Sequence, residues 1–270
     1  IENNKENGSH LLADLYEHTG NAYRIGITGP PGSGKSTLTD NLISIYRKKG
    51  YKVAVIAVDP TSPFSGGAVL GDRIRMTSHY SDPNVFVRSM ATRGGQGGLA
   101  LKTQEVGEIF DAAGFDIIIY ETVGVGQIEL DVIQATDTVI VVLVPGSGDE
   151  VQMLKAGIME IGNIFAINKA DHPGANKLMI SLKDFLSSIS IDVDSWLVKV
   201  VHTIATEGKG VEELIDCIDS HRLFNKEQGI QQQKIDDRYR RRIIEIITED
   251  FLEKFWDDKN SSELQEELKK

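Results

Sequence analysis

Seven short apolar runs punctuate the chain: YRIGIT, KVAVIAV, NVFVRS, FDIIIY, DTVIVVLV, NIFAIN and WLVKVV. They are rich in β-branched residues, and most lack the polar alternation of a half-solvated strand. That pattern predicts strands covered on both faces, as in a parallel sheet. Between them, apolar positions recur every three or four residues and predict helices over Ser36–Lys49, Leu99–Ala113, Glu150–Ile161, Asn176–Ser187 and Val211–His221. Strands alternating with helices define an α/β fold, a doubly wound and mainly parallel sheet. Helical segments flank it. SHLLADLYEHT puts Leu11, Leu12, Leu15 and Tyr16 on one face. Toward the other end Ile235, Tyr239, Ile243, Ile246 or Ile247, and Phe251 form a long stripe, followed by Phe255 and Trp256. The expected organisation is a helical appendage over 1–22, an α/β domain over 23–223, and a helical extension over 224–270.

Composition narrows the function classes. A formal charge of −11 argues against coating a phosphate backbone, so no nucleic-acid partner is expected. No apolar run is long enough to span a bilayer, and no membrane association is expected. The lone cysteine, Cys217, sits at helical spacing from Leu214 and reads as a core thiol. The first residues, IENNKENGSH, have neither a basic n-region nor an apolar h-region. A cytoplasmic location is therefore the expectation, and a mitochondrial one stays open because no initiator Met is present.

One connection is too long for its structural task. VDPTSPFSGGAVLGDRIRM opens from the end of the second strand into prolines, paired glycines and two aspartates, Asp59 and Asp72. Loops in such units usually take roughly 4–6 residues. The strongest motif lies just after the first strand. Gly29-Pro-Pro-Gly32-Ser33-Gly34-Lys35-Ser36-Thr37 matches G-x-x-x-x-G-K-[ST], between a predicted strand and a predicted helix. Glycines let backbone N–H groups turn inward around phosphates, and the helix N-terminus adds partial positive charge. In this motif Lys35 reaches the β- and γ-phosphates and Ser36 ligates Mg²⁺.

The base is read from Asn168-Lys169-Ala-Asp171, at the end of NIFAIN. A carboxylate at Asp171 can accept paired hydrogen bonds from guanine N1–H and the 2-amino group, and adenine offers neither donor. Asn168 orients the loop, and the Lys169 stem covers the base. A third element, Glu121-Thr-Val-Gly124, follows FDIIIY, where many GTPases carry D-x-x-G. There the glycine N–H meets the γ-phosphate and the acid supports Mg²⁺ through water. Asp116, at that strand's start, is too early to take part. After WLVKVVHT comes Ile204-Ala205, where a Ser-Ala pair is usual in a guanine loop. The Ala205 N–H can still meet guanine O6, but the serine's ordering bonds are gone.

Taken in order, GPPGSGKST, VDPTSPFSGGAVLGDRIRM, RSMATRGGQGGLA, ETVGVGQIE, VPGSGDEVQMLKAG and NKAD resemble the MeaB/ArgK family of GTPases. The resemblance runs from about Ser9 to at least Leu214. It implies a P-loop GTPase domain that hydrolyses GTP to GDP and phosphate; because no residue in the sequence must position the attacking water, turnover is expected to be slow alone and faster with a partner. The partner it implies is an adenosylcobalamin-dependent acyl-CoA mutase of the methylmalonyl-CoA type, whose cofactor loading or protection the GTPase gates. It further implies that Asp59 to Met76 is switch I, with Asp59 and Asp72 near Mg²⁺ and the γ-phosphate, and that Glu121 to Gln127 is switch II. Gly146 to Gly157 becomes switch III, with Asp149, Gln152 and Lys155 as its signalling residues. By spacing alone, Asp149 sits where a helix N-cap belongs, with Gln152 and Lys155 on one polar side. Relatives of this type are dimers, which makes the 224–270 extension a candidate homodimer arm. Gln127 is a candidate for positioning the attacking water by residue type only.

Two other functions share the phosphate loop. A nickel-insertion maturation GTPase needs Cys and His clusters, yet the six histidines are scattered and no C-x-x-C, C-x-x-H or H-x-x-x-H pair exists. An ArgK-like kinase needs an acceptor-binding site, and no motif supplies one.

Overall fold

The computed structural model describes residues 14–59, 77–79, 81–91, 98–122, 124, 133, 136–146, 158–188 and 195–255. Seven strands pair into one sheet: β1 (Tyr23–Thr28), β2 (Val53–Asp59), β3 (Val85–Ala91), β4 (Ile117–Thr122), β5 (Thr138–Leu143), β6 (Ile164–Ile167) and β7 (Lys199–His202). Their order is β3-β2-β4-β1-β5-β6-β7, and every pairing is parallel. All seven carboxyl ends therefore lie along one edge of the sheet. The chain moves to one side of β1 through β2 to β4 and to the other from β5 onward, so the crevice where ligands bind in such sheets opens beside β1.

The apolar runs have no polar alternation because both faces are covered. Tyr23, Ile25 and Ile27 of β1 face one core with Leu38, Leu42, Ile43 and Tyr46 of α1 (Lys35–Lys48) and Leu214, Ile215 and Ile218 of α5 (Val211–Glu227). On the opposite face Val106 and Phe110 of α2 (Gly98–Ala112) cover Ala54, Ile56, Ile118 and Tyr120. Leu178, Leu182 and Leu186 of α4 (Ala175–Ser188) cover Val139, Val141 and Phe165. Each fully buried Ile or Leu contributes about 1.5–3 kcal/mol. The helical expectations shift at their ends, those over Leu99–Ala113 and Asn176–Ser187 by a single residue. The first helix begins one residue early, at Lys35, and the last of the α/β domain runs on from His221 to Glu227. Of Glu150–Ile161, only α3 (Ile158–Ile161) lies within the described residues.

One buried residue breaks the apolar rule. Arg24 in β1 is 1% exposed, with its guanidinium 3.0 Å from Glu108 and 3.4 Å from Asp111 of α2. Burial works against this charge, but Tyr120, Glu108, Asp137 and Asp111 outweigh it and raise the pKa above its ordinary value. Asp111 also accepts from three consecutive backbone N–H groups, those of Gly20, Asn21 and Ala22, at 2.9–3.0 Å. The chain thus enters β1 along a fixed path.

The chain divides into two compact units, Ile1–Asn225 and Lys226–Lys270. The second holds α6 (Ile230–Phe255), on which Ile243, Ile244, Ile247 and Phe251 are each more than half exposed. Leu11, Leu12 and Trp256 lie outside the described residues. Among the described residues no helix is long and apolar enough to cross a membrane.

Candidate nucleotide-binding site

The sequence motifs converge on the carboxyl edge. β1 ends at Thr28 and feeds the loop Gly29–Gly34, and α1 begins at Lys35. Gly34 is left-handed, with φ +91°, and a Cβ there would lie 2.3 Å from the Asn168 side-chain nitrogen. Only glycine gives the loop both this turn and this approach. The Lys35 ammonium is buried and donates to the carbonyls of Gly29 and Pro30 at 2.8 and 2.9 Å. It is held within the loop whose phosphate ligands it is expected to meet.

Beside the loop, the Ser36 hydroxyl donates to Glu121 Oε1 at 2.5 Å. Both residues are buried, and they reach each other because β4 lies next to β1. Just beyond, the Gly124 carbonyl accepts from Thr28 and Thr122 hydroxyls, each at 3.0 Å, and those hydroxyls are 3.1 Å apart. The Gly124 carbonyl is therefore tied to the ends of β1 and β4. Neither threonine stands out in sequence, because a β-branched residue ending a buried strand reads as packing. Asp59 is the last residue of β2, at the same edge. Asp116 is at the opposite edge, accepting from the Lys52 N–H at 2.7 Å. Asp72, Gln127, Asp149, Gln152 and Lys155 lie outside the described residues.

On the other side, β6 delivers Asn168, which is 3% exposed and joins three segments. Its Nδ2 donates to the Ser33 carbonyl at 2.8 Å. Its Oδ1 accepts from the Thr203 hydroxyl at 3.2 Å and the Ala205 N–H at 3.0 Å. The Ala205 N–H, expected to face a guanine carbonyl, is thus engaged by Asn168 here. Lys169 is left-handed at φ +55°, uncommon for a residue with a Cβ and often found at functional loops. Asp171 is half exposed, with His172 loosely paired at 3.8 Å. The lost serine of the guanine loop is replaced by other ties: an Ile204–Lys209 backbone bridge, and Asn41 of α1 donating to the Ala205 carbonyl at 2.7 Å. Among the described residues no group of three or more His, Cys, Asp or Glu could hold a metal.

Comparison with known proteins agrees with this geometry. A sequence profile described as "Methylmalonyl Co-A mutase-associated GTPase MeaB" matches residues 1–260. A Pyrococcus abyssi protein whose name places it among the GTPases is 50% identical over 254 residues, covering 92% of this chain and 76% of its own. The "Methylmalonic aciduria type A homolog, mitochondrial" of Mus musculus is 33% identical over 236 residues, covering 86% of this chain and 57% of its own. A solved structure titled as a LAO/AO transport system kinase superposes with a TM-score of 0.72 at 27% identity, covering 96% of this chain and 79% of its own.

Proposed function

Because the chain belongs to the MeaB family of methylmalonyl-CoA mutase-associated GTPases, we propose that it is a G-protein chaperone that gates cofactor loading or protection of an adenosylcobalamin-dependent acyl-CoA mutase. The observation that carries the GTPase part of this reading is the joining of the phosphate loop, the Glu121 strand end and the guanine loop by Ser36–Glu121 and Asn168, while the mutase part is supported by the family's description. Together with the family, it makes the protein a GTPase that binds guanine nucleotide.

In this reading the backbone N–H groups from Gly32 to Thr37 take the phosphates, and Lys35 exchanges its loop carbonyls for β- and γ-phosphate oxygens. Asp171 accepts from guanine N1–H and the 2-amino group, and the Lys169 stem covers the ring. The Ser36 hydroxyl and Glu121 carboxylate form an all-oxygen set that suits Mg²⁺, with Asp59 and Asp72 adding charge. The ion would neutralise phosphate charge. Thr28 and Thr122 hold Gly124 so that its N–H can follow the γ-phosphate, and loss of that phosphate releases the switch segments. A mutase that contacts the two switch states differently is then gated by hydrolysis. The unit Lys226–Lys270 supplies a homodimer arm, and the complex works in the cytoplasm.

The test is GTP turnover by the purified protein with and without an adenosylcobalamin-dependent acyl-CoA mutase. Turnover should be slow alone and rise at least about tenfold with the mutase, as for GTPases whose catalytic group is completed by a partner. Asp149→Ala, Gln152→Ala and Lys155→Ala should reduce that rise while leaving intrinsic turnover within about twofold. An unstimulated wild type whose mutase binding ignores GDP and GTP analogues would sink the chaperone role. Transfer of the γ-phosphate to an acceptor other than water would replace it with a kinase.

A further inference from the structure

The guanine loop of this chain lacks the serine that usually orders it, yet both backbone groups of Ala205 are held. Asn168 takes its N–H at 3.0 Å and Asn41 donates to its carbonyl at 2.7 Å. We propose that Asn41 is a specificity-determining positioning residue. It orients the Ile204–Glu207 turn so that backbone donors face the 6-keto group of the base.

Asn41 lies on α1, six residues beyond the Lys35 that opens it. Its side-chain amide has two N–H groups. One meets the Thr37 carbonyl of its own helix at 2.9 Å and the other crosses to Ala205. Both donors are used, so the amide is fixed in orientation as well as position. Its far partner starts the 3₁₀ turn Ala205–Glu207, which ends at Gly208 in the left-handed conformation and closes through the Ile204–Lys209 bridge. The carbonyl that Asn41 holds belongs to the planar Ala205–Thr206 peptide. Tilting that peptide therefore tilts the Thr206 N–H, the donor that the turn offers to the base. Because α1 also carries Lys35 and Ser36, the same helix sets the phosphate and base ends of the site. The sequence gives no hint of this, since the two partners are 164 residues apart.

The inference rests on the guanine reading and makes a narrower claim, which three diphosphates separate. GDP presents the 6-keto and 2-amino groups. IDP keeps the 6-keto group and lacks the 2-amino group. The 2,6-diaminopurine nucleotide keeps the 2-amino group and lacks the 6-keto group. Dissociation constants are measured by calorimetry for wild type, Asn41→Ala and Asn41→Asp. The aspartate keeps the shape but presents an acceptor to the Ala205 carbonyl.

Both variants should bind GDP and IDP about tenfold more weakly, the worth of one well-made hydrogen bond. Binding of the diaminopurine nucleotide should barely change. The GDP-to-diaminopurine ratio thus falls while the GDP-to-IDP ratio, set by Asp171, stays as in wild type. An equal loss for all three nucleotides in both variants would make Asn41 merely structural and overturn the proposal. So would two unchanged ratios with unchanged affinities. A wild type that fails to prefer GDP over ADP would instead overturn the guanine reading beneath it.

Discussion

Glycine at position 34 does more than permit a turn. Its Cα hydrogen occupies the space through which Asn168 reaches the Ser33 carbonyl. Gly34→Ala adds left-handed strain of about 1–2 kcal/mol and displaces the Asn168 amide. It should weaken guanine-nucleotide binding by more than about tenfold, since several bonds to one side chain are lost together. Gly50 is the control. It is also left-handed, at φ +91°, but a Cβ there meets nothing within 4 Å, and it follows the far end of α1 rather than the phosphate loop. Gly50→Ala should therefore show the strain alone, seen as a small drop in thermal midpoint with a much smaller change in nucleotide affinity. Titration calorimetry on both variants checks the contrast, and equal affinities would show that the Asn168 bridge is unimportant.

The strands were legible because β-branched runs covered on both faces leave no polar alternation to confuse them, and the helices because one face of each is apolar. Lys35, Ser36 and Glu121 were legible for a different reason: their motifs are contiguous, and the sheet order brings their strand ends together. Asn41, Thr28, Thr122 and Arg24 were not. Each acts through a partner about 90 to 160 residues away, and a pairing across the sheet leaves no mark on local periodicity. The same blindness applies to α1, whose apolar face hides two phenols. Tyr23 and Tyr46 are each 1% exposed, and burial, the largest effect on both, pushes their pKa values well above the usual phenol range. A raised folded-state pKa gives stability that is intact below the unfolded value near 10 and lost as pH climbs through the folded value. Stability should thus fall above about pH 10, by about 1.4 kcal/mol per pH unit for each phenol. Tyr46 Oη has no hydrogen-bond partner among the described residues, whereas Tyr23 is bonded to Thr138. Tyr46→Phe should therefore match or exceed wild-type stability near neutrality and halve the alkaline slope assigned to these two groups. Urea titrations at about pH 8 and about pH 11 read both effects.

The proposed homodimer rests on the helix of the second compact unit. α6 spans 26 residues, about 39 Å, and Ile243, Ile247 and Phe251 recur along it at 55%, 62% and 63% exposure. Such a stripe on a single helix asks for a partner surface. Light scattering at micromolar concentration should give twice the 29.7 kDa chain mass, and Ile247→Glu with Phe251→Glu should return the monomer. A monomeric wild type would remove the dimer arm. Another whole-molecule property follows from Asp111, whose carboxylate fixes Gly20, Asn21 and Ala22 at the amino edge of the sheet. From there β1 runs six residues, about 20 Å, before the phosphate loop begins. A dye or surface tether on exposed Glu17 would thus join the molecule at the end remote from the nucleotide. The native thiol would compete poorly for it, because burial, followed by the Glu213 charge, raises the Cys217 pKa. Glu17→Cys therefore offers maleimide chemistry one fast-reacting handle, from which single molecules could be watched through nucleotide turnover with the working edge left clear.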